Sequence, residues 1–294
     1  MRKTIPCAGF LLLLASTASA QIAPPVPGAQ PEVVTLRGVK FYSLPDAKGT
    51  VAAAQKALDA DPKNLDLLQK LEQAQAGVWQ YREAVATCTR ALALAPNNAD
   101  LYIERGHRDL ALRRFTQARA DLDRAVQLDA TKLDAYYHLG LAHYFLGEFS
   151  EAADAFQHAV DKAPTVESRI NSTNWLYASL RRAGKTDEAA QALAKVTPNV
   201  TTADSHSQFY LNLLRFFQRS KNENEVVPPE PPRDNAVDPE PELRFDTVAY
   251  GVGNWFLYNG NKAKALEYFD KIAKGHVWVT WGFVGADVDS ATRR

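Results

Sequence analysis

Residues 134–164 read DAYYHLGLAHYFLGEFSEAADAFQHAVDKAP. Two apolar stretches with helical spacing are separated by Gly147, and Pro164 closes the second, so the stretch predicts two antiparallel helices. Gly140 and Ala152 are small residues on the two helices and let them approach closely. Tyr136, Leu139, His143, Phe149 and Phe156 fill the space between them. The same frame recurs on both sides. Ala57, Ala91, Ala125 and Ala159 stand 34 residues apart, each followed by an aliphatic residue (Leu58, Leu92, Val126 and Val160). Pro62, Pro96, Ala130 and Pro164 keep the same step. A fixed period of this length marks stacked helix-turn-helix units, which bury their apolar faces only by stacking.

The unit before the quoted one carries Tyr102, Gly106, Phe115, Ala118, Leu122 and Ala125; the unit before that carries Leu68, Leu71, Ala84, Cys88, Ala91 and Pro96. At these residues the chain resembles the tetratricopeptide repeat family, whose pattern is aromatic, Leu-Gly, aromatic, then Ala, Phe, Ala, Pro. The resemblance spans roughly residues 50–285 and implies an all-α fold, a right-handed superhelical solenoid. A fourth unit, shifted by three residues, has Leu176, Tyr177, Gly184, Ala189 and Leu193. A further helix opens at Ser205-His206-Ser207-Gln208, which reads as a capping box. The motif resumes at Gly253, Gly260, Ala265, Phe269 and Ile272.

The remaining segments divide the chain. Arg2 and Lys3, the apolar run Phe10–Ala15 and the small-residue site Ala18-Ser19-Ala20 predict an export signal over residues 1–20. Residues 21–48 form an extended leader in which Val33–Leu36 and Val39–Tyr42, split by Gly38, predict a short hairpin. The solenoid occupies residues 49–220, beginning with a lone helix from Gly49 to Ala60. Residues 221–243, with Pro228, Pro229, Pro231, Pro232, Pro239 and Pro241, read as a proline-rich acidic connector. Residues 244–294 read as a last hairpin and a capping helix. That hairpin is expected to dock on the helix from Ser205 to Ser220 and continue the solenoid, with Trp278 and Trp281 covering its end.

The charge balance excludes some classes of function. There are 34 basic residues, two of them in the export signal, against 34 acidic ones. The basic excess that drives nucleic-acid binding is missing. Removing the signal removes Cys7 and leaves Cys88 alone, so the fold does not depend on an internal disulfide. Cys88 stands at a packing position and reads as a buried structural thiol. His138 and His143 are five residues apart on one helix and diverge by more than a right angle, so they do not make a metal pair. No nucleophile elbow, zinc motif or phosphate loop occurs. No catalytic residue, metal or cofactor is therefore assigned.

Asp66, Asp100 and Asp134 recur every 34 residues at the starts of first helices and read as caps of the free N–H groups. Arg105 stands where the repeat expects a buried leucine, and Glu72 where it expects glycine. A buried guanidinium requires a partner, which predicts an Arg105–Glu72 pair across the first two full repeats.

The family resemblance places the first helix of each unit on a concave side. Its groove-facing positions are then Gln69, Gln73, Ile103, His107, Tyr137, Leu141 and Tyr144, extended by Asn171 and Asn174. This amide, aromatic and aliphatic lining suits an extended peptide and predicts weak salt dependence. Packing of the lining against the chain's own leader or connector is the alternative. The layout is similar to bacterial envelope adaptors of the new-lipoprotein-I kind, without their lipidated cysteine. The expected function is a non-enzymatic adaptor of the bacterial periplasm or exterior, holding a peptide segment of another exported or envelope protein. An accessory subunit or uncharacterised enzyme of cell-envelope maintenance is the competing reading.

Overall fold

The computed structural model describes residues 28–232 and 238–291; the export signal and the first part of the leader lie outside the described residues. The leader enters through a two-stranded antiparallel hairpin, β1 (Val33–Val34) and β2 (Lys40–Phe41), with Val33 opposite Phe41. Helices then follow one another: α1 (Thr50–Ala60), α2 (Leu65–Gly77), α3 (Tyr81–Leu94), α4 (Ala99–Ala111), α5 (Phe115–Leu128), α6 (Leu133–Leu146) and α7 (Phe149–Asp161). Next are α8 (Val166–Arg182), α9 (Thr186–Ala194), α10 (Ser205–Phe217) and the single turn α11 (Glu223–Val226). The C-terminal unit is α12 (Glu240–Tyr258), α13 (Lys262–Ile272) and α14 (Trp281–Ala291). α12 begins inside the stretch that the prolines mark as connector; Pro241 sits in its first turn, where a missing N–H costs nothing.

From α1 to α9 each helix packs on its sequence neighbours, which makes a solenoid of antiparallel hairpins. The glycine at the centre of the quoted motif has the purpose the sequence suggests. A Cβ at Gly140 would lie 2.8 Å from the Phe156 ring, so α6 and α7 close to a distance that only glycine permits. Ala84, Ala118 and Ala152 are fully buried at equivalent points on the second helices, and Cys88 is a buried free thiol.

Two expected local contacts are corrected. Glu72 is buried and pairs with Arg108, not Arg105: Arg108 Nε donates to its Oε1 at 2.8 Å. Arg105 instead forks onto Asp121 of α5, with both bonds at 2.7 Å. The reason is helical phase. Residue 108 lies on the α4 face turned toward α2, whereas residue 105 lies on the face turned toward α5. The caps also differ. Asn64 and Asn98 accept the free N–H groups of α2 and α4, while Asp66 and Asp100 sit inside the first turns. α10 is capped by Asp204, which accepts the Ser207 N–H, so the expected Ser205 capping box does not form.

The course of the chain after α10 departs furthest from expectation. α12 does pack on α10, as a continued solenoid requires, but it also reaches α8, and α14 reaches back to α6. Trp278 and Trp281 do not cover a free end. Trp278 is fully buried against Trp79 and Tyr81, and Trp281 lies 5.2 Å from His107. The C-terminal unit therefore folds back into the curve of the solenoid.

Candidate functional site

The concave side is built by the first helices α2, α4, α6 and α8, and its centre is filled by the chain itself. Two buried carboxylates of α14 fix the fit. Asp289 accepts both outer nitrogens of Arg182 at 2.9 and 3.0 Å and the Tyr250 hydroxyl at 3.0 Å. The charges and hydroxyls around Arg182 outweigh its burial and hold its guanidinium firmly protonated. Asp287 accepts the Leu36 N–H at 3.1 Å and faces Arg113 at 3.4 Å, so the leader and α14 share one carboxylate. Burial is the larger influence on Asp287 and raises it from the usual carboxylate range, against the pull of Arg113.

Arg113 itself takes a left-handed backbone, φ 60°, and Trp79 does so at 58°. They occupy the position that Gly147 holds, one repeat after Arg113 and two after Trp79, where the left-handed turn is free of cost. A non-glycine residue there costs about 1–2 kcal/mol. Each side chain then meets the C-terminal unit: Arg113 donates to the Trp278 carbonyl at 3.0 Å, and the Trp79 and Trp278 rings meet edge to face. A bulky residue where the period expects glycine was the sequence signal for this contact.

The expected groove residues fall into two groups. Ile103, Leu141, Tyr144 and Asn174 are buried, with Tyr144 only 3 % exposed. The Tyr144 hydroxyl is held by Asn254 at 2.5 Å and faces the Tyr250 hydroxyl at 3.3 Å. No partner peptide reaches them in this conformation: Ile103 is covered within the ladder by Ala125 and Ala135, and Tyr144 and Asn174 meet the C-terminal unit at Tyr250 and Asn254. His107 stacks on His138 at 4.6 Å with Trp281 across both, and Tyr137 stands edge-on to Phe156. Asn171 is half-buried beside this packing. Gln69 and Gln73 form the second group. Gln69 is half-buried and Gln73 exposed, and both line a cleft between α2 and α4 with Asp100 and Glu104.

That strip carries Glu72, Asp100 and Glu104 against Arg108 and Lys132, so it is charged and not the amide, aromatic and aliphatic lining expected. Burial raises the Glu104 carboxyl, with Glu72, Asp100 and Asp134 adding to the effect and Arg108 opposing it. Tyr137 and Tyr144, which made the lining look neutral, belong to the covered part. Cys88 lies under the same cleft; burial first, then the Glu72 charge, pushes its thiol far above the ordinary range, so it is no nucleophile at neutral pH. Among the described residues there is no cluster of three metal-ligating side chains and no helix long and apolar enough to cross a membrane.

These features define a helical-repeat solenoid whose concave face is closed along most of its length by its own C-terminal unit. The tetratricopeptide repeat family model matches residues 103–167, and the hairpins on either side continue the same helical-repeat solenoid. Among solved structures, MamA is 26% identical over 50% of this chain and 85% of its own, with a TM-score of 0.47. MamA from Desulfovibrio magneticus RS-1 is 25% identical over 50% and 81%, TM-score 0.46. YrrB, described as a TPR protein with an unusual peptide-binding site, is 19% identical over 76% and 92%, TM-score 0.45. No curated protein matches the chain.

Proposed function

We propose that the protein is a non-enzymatic adaptor, exported to the bacterial periplasm or exterior, that holds an extended segment of another exported protein at the open end of its concave face. The observation carrying this reading is the exposure of Gln73, beside Gln69 and above the acidic pair Asp100 and Glu104, where the rest of the face is covered. The two amides offer donors and acceptors to a peptide backbone. Asp100 and Glu104 pair with Lys132 and Arg108, and with Glu72 the strip keeps one carboxylate more than its cations, which favours a segment bearing lysine or arginine and makes capture weaken as salt rises. Export rests on the residues Arg2 to Ala20.

A photoreactive side chain at Gln73, with controls at exposed Arg90 on α3 and buried Tyr144, tests the site. Crosslinking of one exported protein from Gln73 alone is expected. The same capture from Arg90, with none from Gln73, would move the site to the outer face.

A further inference from the structure

A second concavity lies away from the open strip, between α7, α8 and α9. α9 spans 9 residues where α3 and α5 span 14 and α7 spans 13. In those longer hairpins the second helix packs on the first helix of the next unit. Here α9 ends at Ala194 and an irregular segment runs to α10, leaving a cleft of about 340 Å³. Its floor is aliphatic: Val160, Ile170, Leu176 and Val196, all buried by their neighbours yet lining the space. Val166 stands at the mouth, 48 % exposed, one of the few large apolar side chains on the described surface.

The charged groups at the mouth are unevenly matched. Asp161 accepts a hydrogen bond from Gln157 at 2.7 Å. Arg169 and Lys195 also line the cleft, both exposed, and among the described residues neither side chain makes an ion pair or hydrogen bond. The volume falls in the range of small-molecule sites, about 300–1,000 Å³, which join an apolar lining to a few polar groups that fix orientation. An aliphatic chain matches the floor, and an anionic head matches two free cations.

We propose that this cleft binds a free medium-chain aliphatic carboxylate, its chain over Ile170 and Leu176 and its carboxylate between Arg169 and Lys195. The site is distinct from the peptide strip, and neither reading depends on the other. Bidentate geometry makes Arg169 the stronger contact and Lys195 a point charge.

Titration of the full chain with dodecanoate below its micelle concentration, followed by calorimetry and by the carbonyl signal of carboxyl-labelled ligand, tests it. One saturable site is expected, with dodecanol at least tenfold weaker. Arg169→Glu with Lys195→Glu should cut affinity at least tenfold; both residues are exposed, and circular dichroism checks that the fold survives. Ala192→Leu, which fills the cleft from α9, should lower affinity while leaving the charges in place. Absence of saturable binding, equal binding of alcohol and acid, or affinity unchanged by the double charge reversal would overturn the assignment. So would tighter binding of a short peptide ending in a free hydrophobic carboxylate, which would make the site a peptide-end pocket.

Discussion

Along α2 to α7 the chain repeats every 34 residues, and each helix meets its neighbours in sequence. In the C-terminal unit the decisive contacts join residues far apart: Tyr250 to Tyr144, Asp289 to Arg182, Asp287 to Leu36. The two regions are held by different means. The solenoid is built from small-residue approach and aliphatic packing renewed at every step, so its stability is spread over many similar interfaces. Closure of the groove continues the apolar core, with Trp278 on Trp79 and Tyr81, and adds buried polar matches that occur once each; inside the C-terminal unit, one close backbone approach sets α14 on α12. Single substitutions should therefore be worth more in the closure than along the ladder.

The largest difference should come from the charges. Arg182 and Asp289 expose 10 % and 4 % of their side chains. Removing one partner of such a buried pair costs about 3–5 kcal/mol, because the other charge remains buried. Arg182→Leu should therefore lower unfolding stability by about that amount in urea titration. Arg105→Leu, which leaves Asp121 in a better-solvated site, should cost about 1.5–3 kcal/mol. Equal losses for the two would erase the contrast between closure and ladder.

Gly282 comes next. A Cβ there would sit 2.2 Å from the Asp246 carbonyl oxygen on α12, a backbone atom that cannot swing aside. Gly282→Ala should push α14 from α12 at a cost of about 1–3 kcal/mol, with a change in Trp278 and Trp281 fluorescence as their rings leave Trp79 and His107. The equivalent clash in the ladder, Gly140→Ala, meets only the Phe156 ring and should be milder. An unaltered emission spectrum in the Gly282 variant would show that the approach is looser than drawn.

These contrasts also mark what could be read from the sequence. The hairpins, their small-residue contacts, the β-hairpin of the leader and the buried Cys88 all follow from local spacing. Direction did not. The last hairpin has the composition of one more repeat, and packing residues such as Gly253 and Phe269 look alike whether α12 extends the solenoid or turns into it. What decides is complementarity between Asp287 and Arg113 and between Asp289 and Arg182, pairs separated by 174 and 107 residues. No period records such matches. The expected groove residues lie on α2, α4, α6 and α8, but the accessibility of those at the centre depends on that fold-back. Arg105 and Arg108 show a finer limit: three positions on one helix turn a guanidinium from one neighbour to the other.

Caps give a smaller test on the ladder side. Asn98 accepts the Asp100 and Leu101 N–H groups at 3.0 and 3.4 Å, and Asp100 pairs with Lys132 in solvent. Asn98→Ala should cost about 1 kcal/mol, and Asp100→Ala only a few tenths, about what an exposed first-turn charge supplies. The reverse order by thermal denaturation would restore the aspartates as the caps.

The smallest expected effect is on pH dependence, and it has opposite signs at two contacts of the fold. At the leader, Glu32 accepts the Arg82 N–H, and burial, reinforced by the nearby Glu83 charge, pushes its carboxyl up from 4.5 to about 7. The folded state thus prefers the protonated acid. That contribution is complete below the ordinary value of 4.5 and fades as pH rises through about 7. Solvent access at this half-buried group keeps it below about 1 kcal/mol. At the groove, burial lowers both His107 and His138 from 6.5; the His138 and Arg108 charges add to this on His107, while on His138 the Asp134 carbonyl and charge oppose it and Arg108 adds to it. Trp281 closes the third side of the stack. Here the folded state prefers neutral rings, so stability is full above 6.5 and is lost as pH falls below it. Amide exchange corrected for intrinsic rates should show the Thr35 N–H, bonded to Val39, better protected at pH 5 than at pH 8. The Phe283 N–H, bonded to Thr280, should show the reverse. Glu32→Gln should flatten the first dependence and His107→Gln most of the second. If both amides shift in the same direction, the two contacts titrate as one unit, and the separation drawn between leader and groove fails.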